Sequence, residues 1–361
     1  MFCHRDASNS DSVSEVMDDI VTRLYQTLSP EQLDTIGRAY ILNNLTAKEK
    51  LVLATKYWYF NVNVPVTVSL MRDMGQGNTP FWLATSGFKK TGMVVRNIHN
   101  TYEVWQKDFD AGLVELGING FDKHRPVYFI SVGLQDPGNR LQITGIFPED
   151  QHLDTMKIGA FAYHDWDELI LDEVPDELTG QILFTTIRGR AREAHLTGAF
   201  RSTSYPSGVK PDQVILTWSS DPSTSIDIQW RTNTSVPGGS VKYWVKGSCD
   251  TLSAEGNLKL MEDRLLQNDR YVHRFTAHFD HLQPGASYFY QVGSEPGTWS
   301  DIASFNTEPD SGDSFSFIWF GDTHKSQKWG ELIQESYRKY PDVAFYSIVG
   351  DLVNTGLYRD D

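Results

Sequence analysis

The chain has 361 residues, 40% hydrophobic and 12% aromatic, which is too long for one ordinary core and sufficient for several. Its 47 acidic and 32 basic residues give a formal net charge of −15, which disfavours non-specific binding to nucleic acid or anionic membranes and makes divalent cations the natural partners. No run of about twenty apolar residues is present, so no membrane span is expected, and Met1–Asp6 lacks the hydrophobic stretch of a signal peptide. Cys3 and Cys249 are too few for a disulfide framework.

The amino-terminal segment, residues 1–59, reads as helical. Val13, Val16, Met17, Ile20, Val21, Leu24 and Leu28 form one helical stripe, the pattern of a helix that faces a core. Ser29 to Gln32 and Thr46 to Glu49 carry capping-box chemistry, and about three short helices are expected up to residue 56. Residues 60–205 then read as a β-rich domain of unknown type. Its expected strands are 64–70, 101–105, 112–117, 127–132, 141–146, 157–162 and 182–187, with turn chemistry at Asn119-Gly120 and at 136–139. Arg188, Arg190 and Arg192 recur at period two, which places them on one face of a solvated strand. His164 and Asp165, followed by Trp166 and Asp167, hold metal-capable groups without ligand spacing and read as a surface loop; Phe81, Trp82, Trp105 and Phe109 read as core.

Residues 206–310 change texture again. Val214, Leu216 and Trp218 alternate with polar residues, as do Ile226, Ile228 and Trp230, and Val241, Tyr243 and Val245, each run closed by turn residues. A seven-stranded sandwich is expected. His273, His278 and His281 fall in one of its strands and the following turn, mainly at the surface. The best linkers are 202–210 and 308–313.

The last segment, 311–361, carries the chemistry. Two apolar β runs, Phe315–Phe320 and Val343–Val349, each stop at Gly-Asp, namely Gly321-Asp322 and Gly350-Asp351. Between them Trp329, Leu332, Ile333 and Tyr337 have helical spacing, so strand, helix and strand make one parallel crossover unit. Parallel neighbours lie about 4.8 Å apart, which sets Asp322 and Asp351 side by side at the carboxyl edge of the sheet, with His324 just beyond. Two carboxylates there repel unless cations hold them.

These motifs resemble those of the calcineurin-like metallophosphoesterases, which open with Asp-x-His on one strand and Gly-Asp on the next. The resemblance implies that Asp322 and His324 are ligands of a first metal and that Asp351 bridges two metals (Fe, Mn or Zn), an arrangement that hydrolyses phosphate esters with a two-metal hydroxide. No further catalytic residue is assigned. The segment Leu282–Tyr290 resembles the tyrosine corner of fibronectin type III sandwiches, with Tyr288 as the corner residue. Together with Pro211–Trp218, Ile228–Arg231 and Ala303–Thr307 it resembles the amino-terminal domain of purple acid phosphatases. In those enzymes a tyrosine stands three positions after the second aspartate; here that position is Asn354, which is closer to phosphodiesterase-like branches. The sequence stops before the family's later asparagine and histidine motifs. It therefore reads as a fragment with an incomplete second metal site, apolar faces left uncovered, and no turnover by itself. The family resemblance also fits a secreted or periplasmic setting, with the compartment otherwise open. The alternative is a binding or adhesion protein whose β domains carry the function beside a vestigial phosphoesterase unit.

Overall fold

A computed structural model describes residues 12–124, 126–165, 169–310, 312, 314–324 and 326–353. The chain divides into two compact units, residues 1–201 and 202–361. No helix among the described residues is long and apolar enough to cross a membrane.

The first unit opens with four helices rather than three: α1 (Val13–Thr27), α2 (Pro30–Asp34), α3 (Arg38–Asn43) and α4 (Ala47–Thr55). The stripe on α1 is buried as its spacing requires, at Val13, Val16, Met17, Ile20, Val21 and Leu24. Both capping boxes form, Ser29 with Gln32 and Thr46 with Glu49. Arg23 reaches Glu49 at 2.8 Å and so ties α1 to the start of α4. Burial opposes the charge on Glu49, but the Arg23 and Thr46 hydrogen bonds outweigh it and hold the carboxyl below its usual range.

Ten strands follow: β1 (Trp58–Val62), β2 (Val66–Asp73), β3 (Lys89–Asn97), β4 (Thr101–Phe109), β5 (Gly112–Leu116), β6 (Phe129–Leu134), β7 (Ile143–Phe147), β8 (His152–Thr155), β9 (Leu171–Glu173) and β10 (Ile182–Thr185). They form a three-stranded sheet ordered β5-β1-β7 and a seven-stranded sheet ordered β8-β10-β6-β2-β4-β3-β9. Central strand β2 is buried along almost its whole length. Trp58, Phe60, Tyr128 and Phe184 pack ring on ring, and Trp82 is buried with its indole N–H donated to the Ile118 carbonyl. Phe81, Trp105 and Phe109 are only half-buried.

Two readings of this unit are corrected. Residues 157–162 form a turn rather than a strand: Gly159 takes φ +86° and the Ala160 amide bonds back to the Lys157 carbonyl, leaving a single bridge at Phe161. Arg188, Arg190 and Arg192 lie not on a strand face but in a 3₁₀ turn, Arg188–Arg192, after β10 has stopped at Thr185. Tertiary packing overrides the alternation there. The Arg190 guanidinium is buried 4.3 Å over the Tyr57 ring, and the backbones of the two residues exchange hydrogen bonds with each other's side chains. His164 and Asp165 are exposed, as a surface loop requires, and Trp166 and Asp167 lie outside the described residues.

The second unit contains a sandwich of eight strands rather than seven. These are β11 (Asp212–Thr217), β12 (Ile226–Asn233), β13 (Ser240–Val245), β14 (Leu252–Glu255), β15 (Asn257–Glu262), β16 (Tyr271–Phe279), β17 (Ser287–Gly293) and β18 (Ala303–Asn306). One sheet runs β11-β12-β16-β15 and the other β14-β13-β17-β18. The edge strands β14 and β15 have mostly exposed side chains, which leave little hydrophobic signal. Ile226, Ile228, Trp230, Val241, Phe275, Tyr288 and Val292 form the core, with Trp230 stacked on Phe275 at 5.2 Å. Arg231 is buried between Asp212 and Asp269, which fixes the start of β11 to the sheet. His278 and His281 are exposed, and His273 is half-buried against the Val236 carbonyl. Cys249 is a free, exposed thiol, while Cys3 lies outside the described residues.

The Tyr288 hydroxyl accepts the Gln283 amide at 2.9 Å, joining the turn before β17 to the strand itself. Tyr288→Phe leaves that part-buried N–H without its acceptor. We expect a loss of about 1–2 kcal/mol in urea unfolding of the sandwich, with unchanged circular dichroism of the folded state. An unchanged midpoint would show that water replaces the hydroxyl at no cost.

Candidate metal centre

The end of the second unit is a short α/β element: β19 (Phe317–Phe320), α5 (Gln327–Lys339) and β20 (Phe345–Ile348). The strands pair in parallel, with Phe317 opposite Phe345 and Phe320 opposite Ile348. Phe317 stacks on Phe345 at 4.9 Å, and Trp218 at the end of β11 meets Phe345 edge-on at 5.5 Å, which links the element to the sandwich. Helix α5 begins where Ser326 caps the Trp329 amide and ends with Arg338 and Lys339, cations placed favourably at a helix carboxyl end. Trp329 packs edge-on against Phe320 at 4.8 Å.

The parallel register carries the chain two residues past each strand, so that Asp322 stands beside Gly350. Their loops interlock. The Asp351 amide donates to Asp322 Oδ1 at 3.0 Å, while the Asp351 carbonyl accepts the Thr323 and His324 amides at 2.8 and 3.1 Å. The buried Thr323 adds a hydroxyl bond to the Leu352 carbonyl at 3.0 Å. Gly350 takes φ +126°, and a Cβ there would lie 1.9 Å from Asp322 Oδ1, so only glycine admits the carboxylate. His324 also takes a positive φ, +49°, which swings its ring back toward Asp322; Nε2 lies 3.5 Å from Asp322 Oδ2.

The structure thus brings together all three residues singled out from the sequence. One ligand atom from each of Asp322, His324 and Asp351 lies within 4.8 Å of the others. Metal–oxygen and metal–nitrogen bonds of about 2.0–2.2 Å place tetrahedral ligand atoms roughly 3.4 Å apart, so the widest separation here would close by about an ångström around a single ion. Two carboxylates and an imidazole suit Zn, Mn or Fe. The aspartates are exposed and the histidine half-exposed, which leaves room for further ligands. Among the described residues no other group of three His, Cys, Asp or Glu is so placed. Asn354 lies outside the described residues. Sequence reading did not single out Thr323 or the steric role of Gly350. The glycine's position directly before an aspartate at a strand end was the available signal.

Comparison with known proteins bears on the sandwich. Residues 211–307 match the family described as the purple acid phosphatase N-terminal domain, as the strand motifs and Tyr288 implied. No curated protein matches the sequence. Among solved structures, a purple acid phosphatase, PPD1, isolated from yellow lupin (Lupinus luteus) seeds aligns at 10% identity with a TM-score of 0.36, covering 85% of this chain and 48% of that one. This chain therefore spans about half the length of the lupin enzyme. The sensor domain of the anti-sigma factor RsgI4 of Pseudobacteroides cellulosolvens aligns at 16% identity (TM-score 0.19; 27% of this chain, 97% of that one). The FN1–FN3 domains of chicken CNTN1 align at 10% identity (TM-score 0.20; 68% and 57%).

Gly350→Ala tests the interlock. The substitution imposes both the positive-φ strain and the collision with Asp322, together of the order of 1–3 kcal/mol or more. We expect limited proteolysis to cut the 311–361 segment faster while the sandwich retains its unfolding midpoint. Equal cleavage rates in the two proteins would contradict this geometry.

Proposed function

We propose that this chain carries part of the active centre of a metal-dependent phosphoesterase, with Asp322, His324 and Asp351 as metal ligands and a phosphate ester as substrate. The observation that carries the reading is the convergence of the three ligand atoms within 4.8 Å at the carboxyl edge of a parallel strand pair. It is supported by the position of this element directly after a domain of the purple acid phosphatase N-terminal type.

Backbone hydrogen bonds hold the Asp322 carboxylate and join the two loops that carry the ligands. The Asp351 amide orients the Asp322 carboxylate, and the two amide donors to the Asp351 carbonyl fix the loop that presents the Asp351 side chain. A cation here would polarise a phosphoryl oxygen and bring the ionisation of a bound water toward neutrality. In this reading Asp351 would be the ligand shared by two ions, Fe, Mn or Zn. The three described ligands complete neither shell. Residues 1–361 then bind metal weakly at one site and turn over little or no ester. With Asn354 in the position of the purple enzymes' tyrosine, no tyrosinate is available there.

Calorimetric titration of this chain with Mn²⁺ should give one weak site, and Asp351→Asn should weaken it by at least about tenfold, because an uncharged amide is a poor ligand. Bound metal should raise the unfolding temperature of the terminal element and leave that of the sandwich, whose core holds no ligand. Unchanged affinity in Asp351→Asn, or tight binding of two ions per chain, would overturn this assignment.

A further inference from the structure

In the first unit, two exposed histidines come together at the end of β10. His152 opens edge strand β8 opposite Thr185, and the His164 amide donates to the carbonyl of the next residue, Thr186, at 3.1 Å. The neighbour of His164, Tyr163, is fully buried and bridged to Thr186, so the backbone that carries this ring is anchored. The two imidazoles lie with their centroids 4.6 Å apart and their planes 26° from parallel. We propose that His152 and His164 form a two-imidazole site for a late first-row divalent ion, of the class of Zn²⁺ and Cu²⁺, with water completing the shell. An ion bound there staples edge strand β8 to the segment that carries His164. The site shares no residue with the Asp322 cluster and does not rest on the phosphoesterase reading.

The separation of the rings selects this chemistry. With a metal–nitrogen bond of about 2.0–2.1 Å and a ring centre about 1.1 Å beyond the nitrogen, two imidazoles roughly 90–110° apart on one ion have centroids roughly 4.5–5.2 Å apart. The observed 4.6 Å falls in that window. Near-parallel rings do not yet aim at one point, so one of them must turn. His152 is free to do so, because its exposed side chain makes no hydrogen bond among the described residues. The turn is about the Cβ–Cγ bond, an axis that passes close to the ring centre, and it leaves the spacing almost unchanged. His164 stays in place with Nδ1 3.5 Å from the Thr185 hydroxyl, which itself donates to the His152 carbonyl at 3.5 Å; Nε2 is then the ligand atom. No carboxylate among the described residues joins the pair as a third ligand. Asp154, two residues along β8 on the same strand face, adds negative potential, whereas Asp165 is engaged by Arg188. Imidazole favours Zn²⁺ and Cu²⁺ over Mn²⁺, which stands at the weak end of the first-row series, so a Mn²⁺ titration reports the Asp322 cluster and not this pair.

Cu²⁺ is the probe that tests the proposal, added to the Asp351→Asn chain so that the aspartate cluster competes weakly. Calorimetry should find a Cu²⁺ site, and pulsed electron paramagnetic resonance of the loaded protein should count two imidazole nitrogens on the ion. Adding His152→Ala or His164→Ala should leave one nitrogen at most and weaken binding at least about tenfold, because one of two linked ligands is lost. Both positions are exposed, so neither change removes a buried side chain. With Asp351 intact, Zn²⁺ should raise the unfolding temperature of the first unit, and His152→Ala should abolish that shift while leaving the metal-free unfolding temperature as it was. Absence of Cu²⁺ binding would overturn the site. Two nitrogens retained in either alanine variant would assign the ion to adventitious surface histidines and overturn it equally. A Zn²⁺ shift that survives His152→Ala would overturn the staple.

Discussion

The hydrogen bond from the Asp351 amide to the Asp322 carboxylate couples two strand ends that would otherwise repel each other. It places one negative side chain over the backbone of the residue that bears the other. The reciprocal bonds from the Thr323 and His324 amides to the Asp351 carbonyl close the loop. Gly350 permits all of this, because any Cβ at that position would occupy the space taken by Asp322 Oδ1. The loops that carry the cluster are thus joined by backbone donors on a short parallel sheet, and one of them orients the Asp322 carboxylate directly.

The two parts of the second unit differ in how they are stabilised. The sandwich buries Ile228, Trp230, Val241, Phe275 and Val292 completely and fixes its turns with the Tyr288 hydroxyl and the Arg231 ion pairs. The terminal element buries little. Helix α5 has no fully buried residue, and Phe315, Trp319, Leu332 and Tyr337 are each more than half exposed. At about 25 cal/mol per Å² of apolar area removed from water, such an element gains little from burial. The interlocked Gly-Asp loops and the contact of Trp218 with Phe345 therefore carry a large share of its order. A metal ion bridging the two strand ends would add directly to that share.

Much of this was legible in the sequence because the signals were local. The α1 stripe, both capping boxes and the alternation at Ile226, Ile228 and Trp230 each reflect one element's own periodicity or termini. The Asp322, His324 and Asp351 cluster was legible for a related reason: each ligand sits at the end of an apolar run, and a parallel pair brings such ends together. Where the reading failed, distant contacts decided. Arg190 turned away from a strand because Tyr57 and Trp58 offered a buried aromatic seat more than a hundred residues earlier. The stretch 157–162 has the composition of a strand, but Gly159 turned it out of the sheet. Edge strands β14 and β15 bury too few side chains to leave a pattern.

The central claim is that Asp322, His324 and Asp351 hold a metal through preformed backbone geometry. A crystal structure of residues 1–361 grown with Mn²⁺, with diffraction collected at the manganese edge, tests it most directly. The account predicts an anomalous peak within about 2.0–2.3 Å of one atom from each of the three side chains, with the Asp351 amide still bonded to Asp322. An ordered terminal element with no peak between the two aspartates, or with His324 turned away and the ion held elsewhere, would contradict it.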